Sequence, residues 1–533
     1  MGDMPTDHHE MDGPRGQGQG RNPSMHGHGK SDGLVVPANP PNNAALVAAE
    51  AGEERRPAKG NATGETRPGL SAGLSVSSEL DRVRQVARKD KDARFTALLH
   101  HVTVDRLWSA YRAIRPKAAP GVDGVTWKDY GQELEGNLQD LHARVQRGAY
   151  RAKPSRRVFI PKPDGRFRPL GVAALEDKIV QRAVVEVLNA IYEEDFLGFS
   201  YGFRPGRSQH DALDALTVGI QRRKVGWVLD ADLRDFFTSL DQSWLLRFLE
   251  HRIADKRVLR LIQKWLKAGV VENGAWSETV EGAPQGASVS TFLANVYLHH
   301  VFDLWVQQWR GRHAHGDVIV VRFADDFVMG FERREDAVRF QKDLRRRFAE
   351  FGLELNAEKT RLIQFGRFAA STRKERGLGK PETFEFLGFT HICTKSKNGW
   401  FKLQRITSKK RMRAKLREVK AELVHRRYLP IPEQGQWLAS VVRGHCNYYA
   451  VPDNTRAIGD FRYQVVRIWL QALRHRSQRT RLTWERMYRL EARWLPTVRT
   501  QHPWPNARFD ATHPRQEPGA LAVHAGICAG GRL

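Results

Sequence analysis

Residues 321–330 read VRFADDFVMG, two adjacent aspartates inside an apolar run. Like charges side by side repel, and burying either carboxylate costs desolvation energy, so the pair needs a physical reason. A tight turn that uses Asp is one. A divalent cation is another, because its charge outweighs the mutual repulsion of the carboxylates. Phosphoryl transfer to a hydroxyl asks for such ions. Two of them, about 3.5–4 Å apart, lower the hydroxyl's pKa and neutralise the leaving oxygen, and about three carboxylates hold them. Asp232, near the end of GWVLDADL, is the candidate third carboxylate beside Asp325 and Asp326 if the strands that carry them are neighbours. Turn or surface aspartates remain the alternative reading of the same residues.

Other residues fit the same chemistry, each with a plainer reading beside it. Phe236 and Phe237 follow Asp232 by four and five positions, within reach of a sugar held over a metal site. A ring there can exclude a 2′-hydroxyl, or the two can be ordinary core phenylalanines. GAPQGASVS, residues 282–290, frames Gln285 with glycines ahead of a helix, which suits a nucleotide pocket or any glycine-rich turn. Lys162, Arg166 and Arg168 flank a two-stranded element and can cradle a triphosphate or face solvent.

The elements that must position these residues follow from periodicity. RRVFIPKPDGRFRPLGV predicts two short strands joined at Pro163-Asp164-Gly165, and EDKIVQRAVVEVLNAIYE predicts a long helix after them. GWVLDADL predicts a buried strand, and 243–266 and 288–309 predict helices. DVIVVRF and DFVMGFE predict strands that meet at the aspartates. A helix ending near Gly352 and a short strand at EFLGFTH follow. Strands alternating with helices imply an α/β core of mixed connectivity. The first 80 residues, rich in Gly, Pro, Ala and Ser without a period, predict a disordered tail, with order starting near Leu80. Beyond about residue 395 the pattern turns helical and basic: 402–427 carry eleven Lys and Arg against Glu418 and Glu422. A second basic cluster, LRHRSQRTRLTWERM, predicts a small C-terminal module.

The whole chain has the same bias. With 533 residues it needs more than one core, and 87 Lys and Arg against 60 Asp and Glu give a net charge of +27. That surplus points to a polyanion, nucleic acid ahead of an anionic membrane surface. No membrane-length apolar run and no secretory signal core are present, which predicts a soluble, cytoplasmic protein without a membrane partner. Cys393, Cys446 and Cys528 form no CxxC pair, so neither a disulfide scaffold nor a zinc ribbon is supported.

Taken in order, these segments resemble the reverse transcriptases encoded by bacterial group II introns, the intron maturases. PGVDGVTW resembles the amino-terminal extension motif, IPKPDGRFRPLGV the fingers segment and YGFRPGRSQHDAL the block after it. DADLRDFF carries the first palm aspartate, GAPQGASVSTFLANVYL resembles the nucleotide-pocket block, and FADD, residues 323–326, is a variant of the YxDD box. GLELNAEKT with Lys359 and EFLGF complete the palm, and VVRGHCNYYA resembles the thumb or maturase region. The resemblance implies a right-hand polymerase fold, with fingers and palm over 81–395, a helical thumb/maturase domain over 396–472 and a basic nucleic-acid-binding segment over 473–533.

It further implies RNA-directed DNA polymerisation. Asp232, Asp325 and Asp326 would bind two Mg²⁺ ions, and a primer 3′-hydroxyl would attack the α-phosphate of a dNTP. Phe237 would be the sugar gate, Gln285 would contact the nucleotide, Lys162 and Arg168 would steady its phosphates, and Lys359 would belong to the same pocket. The implied partners are a structured intron RNA, an RNA template with a DNA primer, and target DNA, which would place the protein on the bacterial nucleoid when bound. The sequence departs from the family at Phe323, where Tyr is usual, at Thr238, where Asp is common, and at Ala287 and Thr291, where Gly and Pro are common. No paired-cysteine HNH-type nuclease module is expected, so mobility would need a primer made elsewhere. A polymerase-fold splicing factor and a reverse transcriptase co-opted for a host role such as defence are the rival functions.

Overall fold

The computed structural model describes residues 70–161, 167–278, 282–283, 286–476 and 482–512, with the backbone alone for 70–79. The predicted tail up to residue 69, the Pro163-Asp164-Gly165 turn, Lys162, Arg166 and Gln285 lie outside the described residues. The first helix, α1 (Leu70–Lys89), begins ten residues before the expected start of order. It is followed by α2 (Val104–Ala113) and α3 (Leu134–Gln146).

Two predicted strands, β1 (Ser155–Pro161) and β2 (Phe167–Val172), pair antiparallel, with Arg156 opposite Val172 and Pro161 opposite Phe167. Then come α4 (Leu175–Asp195), α5 (Gln209–Arg222) and β3 (Trp227–Ala231). The predicted 243–266 helix is two helices, α6 (Gln242–Glu250) and α7 (Lys256–Leu266), because Asp255 caps the second. The Asp255 carboxylate accepts from Arg257 N–H and from Leu98 and Leu99 N–H at 2.8 and 3.0 Å, so the break also ties down a distant loop. Along α7, Val258, Leu261, Ile262 and Trp265 recur every three or four residues and are buried as one stripe. Strands β4 (Val270–Glu272) and β5 (Ala275–Ser277) complete the first sheet in the order β2-β1-β4-β5.

The predicted 288–309 helix is interrupted. Helix α8 (Ser288–Leu298) passes through a π-helical turn, His299–Asp303, into α9 (Leu304–His313). Next are β6 (Val318–Phe323), β7 (Asp326–Phe331), α10 (Arg334–Ala349) and β8 (Arg361–Gln364), a strand that the sequence pattern did not reveal. The central sheet has the order β6-β7-β3-β8, antiparallel throughout. Its alternation sorts two cores. Leu229, Ala231, Phe327 and Met329 join one core, to which α4, α8 and α10 also contribute. Val228, Val321, Val328 and Ile363 join another, shared with α5 and a third sheet.

That third sheet spans the expected boundary between residues 395 and 396. Strands β9 (Phe384–Phe386), β10 (Phe389–Lys395) and β11 (Phe401–Thr407) form it, and β10 pairs with β11 over seven residues, Phe389 opposite Thr407 through Lys395 opposite Phe401. A boundary between residues 395 and 396 would cut this hairpin. Helices follow: α11 (Lys409–His425), α12 (Ile431–Tyr449), α13 (Thr455–Arg474), α14 (Trp484–Trp494) and α15 (Pro505–Thr512). Leu423, Leu438, Val442, Phe461 and Trp469 build their shared core.

The described part of 473–533 packs on the rest of the chain. Met487 of α14 is buried in that helical core, and α15 reaches back to α5, where Arg222 pairs with Asp510 at 2.9 Å. Residues 441–450 also reach the third sheet: the Tyr448 hydroxyl donates to Leu387 O at 2.7 Å.

Candidate active site

Antiparallel register brings the three aspartates together. Ala231 of β3 lies opposite Phe327 of β7, so Asp232, the next residue, reaches the level of Asp326. Phe323 pairs with Asp326, which leaves Ala324 and Asp325 as a two-residue connection at the tip of the β6–β7 hairpin. Ala324 has φ of +56°, the left-handed region that a residue with a side chain seldom adopts. A positive φ on the first residue alone follows the sign pattern of a type II′ turn. The aspartate pair therefore does sit in a tight turn, and the turn aims it at a third carboxylate.

Desolvation is the largest influence on both residues of the pair. Burial pushes the Asp325 carboxyl up, with the Asp232 charge adding to it, while Arg168 and Lys359 pull it back. Asp326 is pushed up to about 7, first by burial and then by the charges of Asp325, Asp232 and Asp230. A fourth carboxylate thus belongs to the cluster. Asp230 lies two residues before Asp232 and so on the same face of the strand. Burial raises its carboxyl to about 6, although Arg361, opposite it on β8, stands 3.5 Å away. The i, i+2 spacing in GWVLDADL was the signal that points to Asp230.

The side chains around the cluster are cationic. Lys359 Nζ stands 2.5 Å from Asp232 Oδ2, and Asn356 N–H donates to Asp232 O at 2.8 Å, so 356–359 run beside the end of β3. Arg168, on β2, acts on Asp325 from the first sheet. The glycine-framed block joins the two regions. Ala283 N–H donates to Phe237 O at 2.8 Å, and a Cβ at Gly286 would stand 3.0 Å from Gly171 O on β2. Phe237 is partly buried, with its ring 5.4 Å from the Phe236 ring in an edge-on arrangement. Phe236 itself is buried, as its core reading expects.

Four of the eight expected site residues, Asp232, Asp325, Asp326 and Lys359, therefore lie together at one end of the central sheet; Arg168 acts on Asp325 from β2, and Phe237 lies on the loop that leaves β3. Lys162 and Gln285 are outside the described residues. Four carboxylates sharing a partly dehydrated edge fit divalent cations by their donor chemistry, since hard oxygen ligands suit Mg²⁺. Among the described residues no three His, Cys, Asp or Glu side chains already converge as a cation cage. Asp232 instead meets the Lys359 ammonium.

Known proteins share this arrangement of sequence. The family described as reverse transcriptase (RNA-dependent DNA polymerase) matches residues 160–391, a stretch that contains all eight expected site residues and the central sheet. Protein YkfC of Escherichia coli K12 is 34% identical over 306 residues, spanning 50% of this chain and 79% of YkfC. The group II intron-encoded protein LtrA of Lactococcus lactis subsp. cremoris is 32% identical over 234 residues, 43% of this chain and 38% of LtrA. A putative COX1/OXI3 intron 1 protein of Saccharomyces cerevisiae is 25% identical over 434 residues, 68% of this chain and 51% of that protein. The chain spans most of YkfC and about half or less of these two intron proteins. The matched domain implies a right-hand polymerase fold and the use of divalent metal and dNTP substrates. The chain belongs to the group II intron reverse transcriptase/maturase family, whose enzyme class is RNA-directed DNA polymerase.

Proposed function

We propose that this protein extends a DNA primer on an RNA template at the edge formed by Asp232, Asp325 and Asp326, and that it binds a structured group II intron RNA to assist splicing and mobility. The carrying observation is the register that sets Asp232 level with Asp326 beside the strained tip that holds Asp325. In this reading the first and central sheets are fingers and palm, and α11–α13 form the thumb.

Asp232, Asp325 and Asp326 would hold two Mg²⁺ ions, and Asp230, paired with Arg361, stays behind them as a supporting charge. Bound there, the ions supply an activated primer hydroxyl and charge neutralisation on the departing pyrophosphate. The chain's own residues do the rest. Arg168, extending from β2, and Lys162 orient the triphosphate, and Lys359 balances Asp232 until the nucleotide arrives. Phe237 lines the sugar and disfavours a 2′-hydroxyl, while Gln285 contacts the nucleotide. The +27 surplus and the basic 402–427 stretch suit a phosphate backbone. LtrA is named as a group II intron-encoded protein, which supports an intron RNA as partner.

Primer extension on an RNA template with dNTPs and Mg²⁺ tests the reading. Extension by the wild-type chain that is lost in Asp325→Ala supports it, and equal extension by both proteins removes the site assignment. Selective retention of the cognate intron RNA on filters tests the partner, and binding no tighter than to an unrelated structured RNA counts against it.

A further inference from the structure

Directly behind the turn lies a charge that none of the roles above uses. Arg322, the last residue but one of β6, is fully buried, as is its partner Asp303. A guanidinium carries five N–H donors in a fixed plane. All five are spent here. Nε donates to Asp303 Oδ1 at 2.7 Å and Nη2 to Asp303 Oδ2 at 2.5 Å. Nη2 also donates to Ser200 Oγ at 2.7 Å, and Nη1 donates to Asn295 Oδ1 and to Ala324 O, each at 3.0 Å.

The acceptors have one thing in common: each backs the catalytic hairpin. Ala324 is the strained residue of the turn, and its carbonyl belongs to the peptide that leads into Asp325. Asn295 sits on α8 and donates its amide to Gly202 O at 2.7 Å. Gly202 is pressed so tightly on the turn that a Cβ there would stand 2.2 Å from Ala324 N. The Arg322 backbone is fastened to the same segment, donating to Phe199 O and accepting from Tyr201 N–H, both at 2.9 Å. Asp303 closes the π-helical turn between α8 and α9, a local widening that recurs at functional sites.

We propose that Arg322 is the positioning residue of the catalytic hairpin. Its guanidinium, anchored by Asp303 and Asn295, holds the Ala324 peptide in its left-handed conformation and so fixes where the Asp325 and Asp326 carboxylates stand. The pairing is planar and bidentate, so lysine, a single point charge, cannot reproduce it. The proposal rests on the polymerase reading for its activity arm and on ion affinity for the other.

Two variants of the full chain separate positioning from bulk stability. Arg322→Lys keeps the charge beside Asp303 and loses the fork. Arg322→Met combined with Asp303→Leu removes both buried charges together, a change that leaves no unpaired ion and is often neutral or stabilising. Three quantities are read: urea unfolding, the Mg²⁺ concentration for half-maximal primer extension, and calorimetric affinity for Mn²⁺ alone. We expect both variants to fold, with Mn²⁺ affinity and extension lowered by about 10–100-fold, as for partners that orient metal ligands. Wild-type ion affinity and wild-type extension in the folded double variant would overturn the proposal, and so would failure of both variants to fold, which assigns the pair to stability alone. A wild-type chain that extends no primer yet binds Mn²⁺ removes the polymerase reading and leaves the ion-affinity arm to decide.

Discussion

Two clusters of buried charge lie at different places on the same framework, and they are built oppositely. Where α5, β11 and α15 meet, Asp214 takes Arg405 at 2.7 Å and Arg508 at 3.4 Å, so one carboxylate is matched by two cations. At the edge of the central sheet, Asp230, Asp232, Asp325 and Asp326 crowd together, and burial with mutual repulsion raises Asp326 to about 7. The matched cluster joins the helical region to the sheet. The second keeps Lys359 on Asp232 and Arg361 on Asp230, yet burial and mutual repulsion still raise Asp326, a cost that a bound cation would remove.

The largest expected difference between the two clusters is in activity. Asp325→Asn or Asp232→Asn lowers primer extension by more than the ~10–100-fold that outer partners of a metal cost, and circular dichroism shows an unchanged fold. Asp214→Ala does the reverse. It strands Arg405, 3% exposed, and lowers stability by about 3–5 kcal/mol in urea unfolding, while Mn²⁺ affinity at the carboxylates stays at the wild-type value. If Asp214→Ala destroyed ion binding and left stability untouched, the contrast would fail.

A smaller effect follows from pH. A carboxyl whose folded-state pKa is raised holds its proton more tightly in the folded chain than in the unfolded one, so stability falls as pH rises between the two values. For Asp326 the window runs from about 4 to about 7, and Asp230 and Asp177, both raised to about 6, share its lower part. Metal-free protein therefore loses stability across that window, and Asp326→Asn flattens its upper part. A slope the same in wild type and Asp326→Asn would place the cost elsewhere. The smallest effect belongs to Phe323→Tyr. The Phe323 ring lies 6.3 Å from that of Phe203, and in the proposed function the ring itself takes no part in the chemistry, so extension is expected within about twofold of wild type in steady-state assays.

Much of this contrast is legible in the sequence, for identifiable reasons. The β6–β7 hairpin shows because two apolar runs meet at a polar pair, and β1–β2 because Pro and Gly punctuate the sequence between them. The third carboxylate is visible only as a candidate, since register is a long-range property that the 92 residues between Asp232 and Asp325 do not encode locally. Strand β8 is four residues long and half polar, too short for a period, and β11 hides inside a basic run because its Lys402, Gln404 and Ile406 alternate with buried Leu403 and Arg405. Buried Arg405 and Arg322 defeat the expectation that charge marks the surface. Both are found only when their acids, distant in sequence, come into view.

We propose that the crowded carboxylates take up divalent cations in competition with protons. Calorimetric titration of the metal-free chain with Mn²⁺ near pH 7, repeated in buffers of different ionisation enthalpy, measures affinity and proton release together. We expect binding by the wild-type chain with release of protons, both lost in a chain carrying Asp325→Asn and Asp326→Asn. Equal affinity in the two proteins, with no proton released by either, would contradict it.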